Sequence, residues 1–522
     1  MSEEKKEEKK VSVWKEITQP FVDLVHAPRA LWGINLPYFL EGMAYFGILG
    51  YLAIYFSEFV FRGVEGGEQT AHTMVMILTA GITMSMFFFG GVSDKWGVRK
   101  SLIVAFALML VGRAIMSSAP TVFGLQPAGV WSPLHLLTMA GIMFVVVGYG
   151  LYQPSAYAAV KQFTTKETAG MGYAMLYALM NLGGWIPTFA FLLRDEDYLN
   201  IGIPGVFWVY TAFTVVALVS SYLLLSRKTV VDAIARASAG GRDDEKKEVI
   251  AKVETVDDEV ARVPWHMWLY VAGIVAAILW RVPTPYNYYF ALAVASVACL
   301  VQYFPGVAMS KARKWLARHP LADAKFSFFI FCLIPVQTLF TYNWLVLPEY
   351  ISRSYSGWVG EYFEIASNAN PILIFIMVPI VTVLTNKAPV YKMMIIGTAV
   401  MAAPAFLLTM GTNVVLLGAF ILLMTIGEAM WQPRFLQYAA EIAPKGRTGA
   451  YMGIAQFPWF LTKVLVPLLY SGYMMEHYCP AEGTGDPQFM WMVFGFIAIC
   501  SPVLLIIARR WIGKSMEVKT PA

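Results

Sequence analysis

The chain has 522 residues, of which 58% are apolar, 15% aromatic and only 14% charged. Soluble domains carry about 25% charged residues, so the composition excludes a soluble globular protein and points to a chain largely dissolved in lipid. The formal net charge of +5 excludes little by itself, because the placement of the positive residues matters more than their sum.

Residues 1–29 open with a Glu/Lys run that has no apolar core, which reads as a solvated tail and not as a signal peptide. Fourteen apolar runs of roughly membrane-spanning length follow. They lie near 30–56, 70–92, 101–117, 134–159, 169–193, 204–226, 265–281, 286–308, 325–350, 370–386, 391–411, 413–440, 448–475 and 487–508. The layout is a six-helix half (30–226), a polar linker of mixed charge (227–264), two extra helices (265–308), a basic connector (309–324), a second six-helix half (325–508) and a tail (509–522). Of the 39 Lys and Arg residues, 32 fall on one side of this layout and four on the other; Arg113, Arg434 and Lys463 lie inside spans. Positive loops mark the cytoplasmic side. Both termini are therefore expected in the cytoplasm, and the chain is expected in the cell (inner) membrane.

The two halves repeat. Gly148, Gln153 and Pro154 recur as Gly427, Gln432 and Pro433, and Gly170 recurs as Gly449, each displaced by the same 279 residues. One offset kept across a helix and its following loop makes the fourth and twelfth spans counterparts. The predicted fold is thus an all-α integral membrane protein of two six-helix halves plus two central helices.

Charge inside a span is costly, so it normally faces a cavity or a partner. Five such residues stand out: Glu41, Arg113, Glu428, Arg434 and Lys463. At 1.5 Å per residue Glu41 lies roughly 17 Å and Glu428 about 21 Å from the inner ends of their spans, near mid-membrane. Desolvation raises a carboxyl's proton affinity and a nearby cation lowers it, so either glutamate can exchange a proton as access alternates. A static ion pair with Arg113 or Lys463 is the other arrangement open to them. Arg434, nearer the inner end, suits a gate or packing cation as well as it suits a substrate ligand. Mid-span amides need partners, which brings Gln153, Asn181, Gln337 and Asn343 into the expected substrate pathway beside the aromatic residues Tyr38, Tyr45 and Tyr177 and the cations Arg113 and Lys463. Pro154 and Pro433 interrupt helices where a cavity or neighbour can satisfy the freed carbonyls, and are candidate hinges.

Between the second and third spans lies Gly90-Gly91-Val92-Ser93-Asp94-Lys95-Trp96-Gly97-Val98-Arg99-Lys100. Gly90, Asp94, Lys95, Gly97, Arg99 and Lys100 resemble the signature loop of the major facilitator superfamily of transporters. That resemblance implies that Asp94 pairs across the cytoplasmic face in the outward-open state and controls conformation. The six-two-six layout further resembles the proton-dependent oligopeptide transporters within that superfamily. Glu41, Tyr45, Phe46 and Gly47 match that family's first-helix motif, with Tyr38 and Gly42 standing where it has glutamate and arginine. Gly148, Gly150 and Pro154 match its fourth-helix motif, with Gln153 in place of lysine. Tyr177, Asn181 and Gly183 match its fifth-helix motif, and Gly427, Glu428 and Pro433 its tenth. Pro335, Val336, Leu339 and Phe340 match its seventh, where Thr341 replaces a glutamate. The resemblance implies proton-coupled symport of small peptides.

No phosphate-cradling loop, metal-ligand spacing or nucleophile–base pair is found in the sequence, so neither an enzyme nor an ATP-driven pump is expected. No cofactor, no metal and no nucleic-acid partner is expected either. The partners are the bilayer, a small solute and protons, and the chain is read as a monomer. The expected function is secondary transport by alternating access, as proton-coupled peptide symport. Proton-driven efflux of lipophilic or cationic compounds is the alternative, and a non-transporting membrane sensor an alternative of another class.

Overall fold

In hydrocarbon only a helix satisfies every backbone N–H and C=O within its own segment, and the apolar runs fold accordingly. The computed structural model describes residues 28–62, 67–194, 196–239, 262–281, 284–361, 363–385, 388–480 and 484–516, and every regular element among them is helical. Most of the expected N-terminal tail, the acidic and basic run 243–248 of the linker and the last six residues lie outside the described residues.

The chain divides into two units, Met1–Arg242 with Leu333–Ala522, and Asp243–Cys332. In the first unit the leading half comprises α1 (Arg29–Ile54), α2 (Gly67–Phe89), α3 (Val98–Thr121), α4 (Pro133–Phe163), α5 (Lys166–Trp185) and α6 (Gly202–Leu224). The second unit holds α7 (Met267–Arg281), α8 (Tyr286–Tyr303) and α9 (Val307–Arg318). The first unit resumes with α10 (Ile334–Leu345), α11 (Ala369–Leu384), α12 (Val390–Ala402), α13 (Val414–Glu441), α14 (Thr448–Ala455), α15 (Phe457–Val466) and α16 (Pro487–Met516).

All fourteen expected runs contain helix, but they are not equally apolar. Among the described residues ten helices are long and apolar enough to cross a membrane, and α8 with α9 makes an eleventh if that pair, bent by 96°, is one span. The described apolar stretches Thr73–Phe89 and Met267–Trp280 are shorter. α1 is diluted along its length by Asn35, Glu41 and several glycines.

The repeat has a packing cause. A Cβ on Gly148 would sit 2.9 Å from the Ala105 carbonyl oxygen and 2.6 Å from Met109 Cγ on α3. A Cβ on Gly427 would sit 2.8 Å from the Gly397 carbonyl oxygen and 2.2 Å from Met401 N on α12. Each half therefore lets one helix close onto its neighbour through the same missing side chain. α1 and α5 approach in the same way: a Cβ on Gly42 would lie 2.8 Å from Met180 O, and one on Gly183 2.4 Å from Phe39 O.

Candidate functional site

Glu41 and Arg113 meet inside the leading half. Arg113 Nη1 and Nη2 donate to the two Glu41 carboxylate oxygens at 2.7 and 2.5 Å, and Nη1 also reaches Thr214 Oγ1 at 2.5 Å. The pair joins α1, α3 and α6 with Glu41 0% and Arg113 1% exposed. This is the static ion pair left open for Glu41, and it occupies both groups with each other.

Glu428 has different company. Its carboxylate accepts from Tyr177 Oη at 2.5 Å and from Asn370 Nδ2 at 2.9 Å, and Asn370 also donates to Thr425 Oγ1 at 3.1 Å. Tyr177 stands on α5 of the leading half, whereas Glu428 and Asn370 stand on α13 and α11 of the second. The carboxylate is 1% exposed, and among the described residues no cation pairs with it. Ala174, Ala178, Ile374, Val378 and Ala429 form one buried apolar cluster beside this junction.

Lys463, on α15, is 8% exposed. Its Nζ lies 3.8 Å from the Trp459 ring centre, 5.1 Å from Phe460 and 5.7 Å from Tyr45 of the opposite half. No carboxylate pairs with it among the described residues, so aromatic faces are its counter-charge. Tyr45 lies tilted against Tyr149 with ring centres 4.9 Å apart, and its hydroxyl is buried without a partner among the described residues. Buried amide atoms of Gln153 and Gln337, and Asn343 Oδ1, likewise lack partners among the described residues. These groups, presented by α1, α4, α10 and α15, have hydrogen-bonding capacity left for a ligand. Tyr38 instead donates to Tyr157 Oη at 2.9 Å, and Asn181 donates back to Tyr177 O of its own helix at 3.0 Å.

On the face carrying the 90–100 loop the halves are clamped. Asp94, in the one-turn helix Val92–Trp96, accepts from Gly449 N at 2.8 Å and Ala450 N at 3.0 Å. Those amides belong to the first turn of α14, where backbone N–H groups have no helical acceptor. Burial pushes the Asp94 carboxyl above its ordinary value, and the two amides and the nearby Arg447 and Lys161 charges oppose the rise. Gly90 permits the approach, since a Cβ there would lie 3.2 Å from Gly449 O. Pro154 abuts the same seam, its Cγ lying 3.4 Å from where a Cβ on Gly453 would be. Gly97 holds φ +79° and ψ 152°, which lets the chain re-enter α3 at once. Arg99 Nε donates to Leu225 O at 2.5 Å and its guanidinium lies over Tyr222, while Lys100 lies over Trp96 and Lys95 is exposed. Lys161 Nζ adds a second tie to Ala440 O at 2.5 Å, at the end of α13. Arg434, the residue after Pro433, donates to Thr385 O at 3.0 Å and to Gln437 Oε1 at 3.2 Å.

Asn370 is the side chain at this junction that the sequence reading missed. It stands at the first residue of an apolar run beside a proline, where an amide reads as a helix start; only the fold aims it at Glu428.

Two repeated helical halves, meeting at a buried mid-span carboxylate and at a clamp on one face, have the architecture of a membrane transporter. The sequence matches the Major Facilitator Superfamily over residues 1–186 and 63–467, and the chain belongs to that superfamily of secondary transporters. No curated protein matches it. Among solved structures it is similar to a POT family transporter in complex with a thioalcohol-conjugated peptide (16% identity, 96% of this chain and 100% of that one, TM-score 0.57). It is also similar to peptide transporter POT in complex with sulfate (16%, 94% and 96%, TM-score 0.54). The proton:xylose symporter XylE shares the fold as well (13%, 93% and 95%, TM-score 0.58).

Proposed function

We propose that this transporter is a proton-coupled symporter of small peptides or related amphipathic solutes, with Glu428 as the coupling carboxylate. The observation that carries the reading is the setting of Glu428. It is a buried mid-span carboxylate held by one donor from each half, with no cation among the described residues to fix its charge. Separating the halves breaks the Tyr177 bond, so the same motion that opens the pathway changes the carboxylate's surroundings and its hold on a proton. Glu41 has a bidentate arginine and is assigned a structural role. Lys463, with Tyr45, Gln153 and Gln337, is assigned to the solute, the ammonium meeting a carboxylate in exchange for aromatic faces.

The halves 30–226 and 325–508 are taken to rock about this site, with Asp94 closing the cytoplasmic side. The basic loops support that orientation, both termini lying in the cytoplasm and the chain in the cell (inner) membrane. The peptide transporters and the proton symporter that share the fold accord with this chemistry.

The test is purified protein in liposomes with a pH dye inside and di- and tripeptides added outside. Peptide-driven acidification is expected, lost in Glu428→Gln, with peptide exchange across the membrane retained. Coupled proton entry that survives Glu428→Gln would remove the assignment. Proton movement with lipophilic cations and none with peptides would favour an exporter.

A further inference from the structure

The hairpin of α7 and α8 exposes aromatic side chains at both ends. Trp265, Tyr303 and Phe304 are 76%, 75% and 57% exposed at one end, and Tyr286 and Tyr288 are 63% and 62% exposed at the other. Such belts sit at the two membrane–water interfaces, and the 18 residues of α8 between them rise roughly 27 Å. α9 begins just past Tyr303 and Phe304 and turns 96° from α8. A helix that leaves a spanning segment at the belt, nearly at right angles, runs along the membrane surface.

Its residues agree with that course. Lys311, Arg313, Lys314 and Arg318 fall within twelve residues that include no acid, a charge density that hydrocarbon does not admit. Arg313 is used inside the unit, where Nη1 donates to Val301 O at 2.9 Å and Phe304 O at 3.0 Å and so pins the bend. The outward stripe is Val307, Lys311, Trp315 and Arg318, all exposed and spaced four, four and three residues apart. On one narrow face, Val307 and Trp315 can enter the acyl boundary while the long Lys311 and Arg318 side chains snorkel back to the headgroups.

We propose that α9 docks on anionic lipid, with Lys311 and Arg318 holding headgroup phosphates while Val307 and Trp315 enter the acyl boundary. The inference rests on the membrane-spanning fold and is independent of which solute is carried. The full-length protein in detergent would be titrated with phosphatidylglycerol and with phosphatidylcholine and read by native mass spectrometry. The wild type should retain phosphatidylglycerol more tightly, and Lys311→Gln and Arg318→Gln should each weaken it about fivefold without changing phosphatidylcholine binding. Lys311→Arg with Arg318→Lys, which keeps both charges, should preserve the preference; its loss there would overturn the electrostatic account. A wild type without preference, or a Lys311→Gln/Arg318→Gln protein that keeps it, would overturn the proposal.

Discussion

Glu41 and Glu428 lie at similar depth and differ in their partners. A bidentate guanidinium pairs with Glu41 inside one half, whereas neutral donors from both halves hold Glu428. Removing one member of a buried pair strands the other charge at about 3–5 kcal/mol, while replacing both by apolar groups is often near neutral. Arg113→Met should therefore lower thermal stability sharply, and Glu41→Leu/Arg113→Met should recover most of the loss and still couple protons. A double variant that folds but cannot couple would return Glu41 to the coupling site. Tyr177→Phe removes a hydrogen bond to a charged group, worth about 1.5–3 kcal/mol. It should shift the halves toward separation, read as longer spin-label distances between α5 and α11.

Helices here meet where side chains are missing. The position at which the peptide-transporter motif has arginine is Gly42, and its Cβ would press on the Met180 carbonyl at 2.8 Å. Gly42→Ala should part α1 from α5 at about 1–3 kcal/mol. Gly50→Ala, on the same helix with nothing within 4 Å, should gain about 0.5–1 kcal/mol from lost chain freedom. Opposite signs in thermal unfolding would support the packing account; equal effects would refute it. Gly97→Ala places a side chain at φ +79° and ψ 152°, a region left to glycine, and should cost about 1–3 kcal/mol and loosen the entry to α3.

For the whole molecule, the clamp at Asp94 ties conformation to pH. Its carboxyl is raised by burial when the clamp is closed and returns to an ordinary value, about 3.9, when the clamp opens to water. The closed form thus binds the proton more tightly. Its contribution is full below the ordinary value and lost as pH rises through the shifted one. Distances between labels on the 90–100 loop and the start of α14 should shorten as pH falls through that window, and Asp94→Asn should abolish the response. An unchanged pH response in Asp94→Asn would place the sensor elsewhere.

Membrane residence, the all-helical fold and its repeated halves were legible in the sequence. Hydropathy, loop charge and the 279-residue offset from Gly148 to Gly427 are local properties, fixed by what hydrocarbon and close helix packing each demand. The charged and polar candidates were legible as a set, because a charge or amide in a span is visible wherever it stands. Which of them pair was not. Arg113 is 72 residues from Glu41, Tyr177 is 251 from Glu428, and Asn370 is 58 from it. Those distances close only when helices from different parts of the chain are brought together. Tertiary structure alone therefore decided that one glutamate is neutralised within its own half and the other is shared between two.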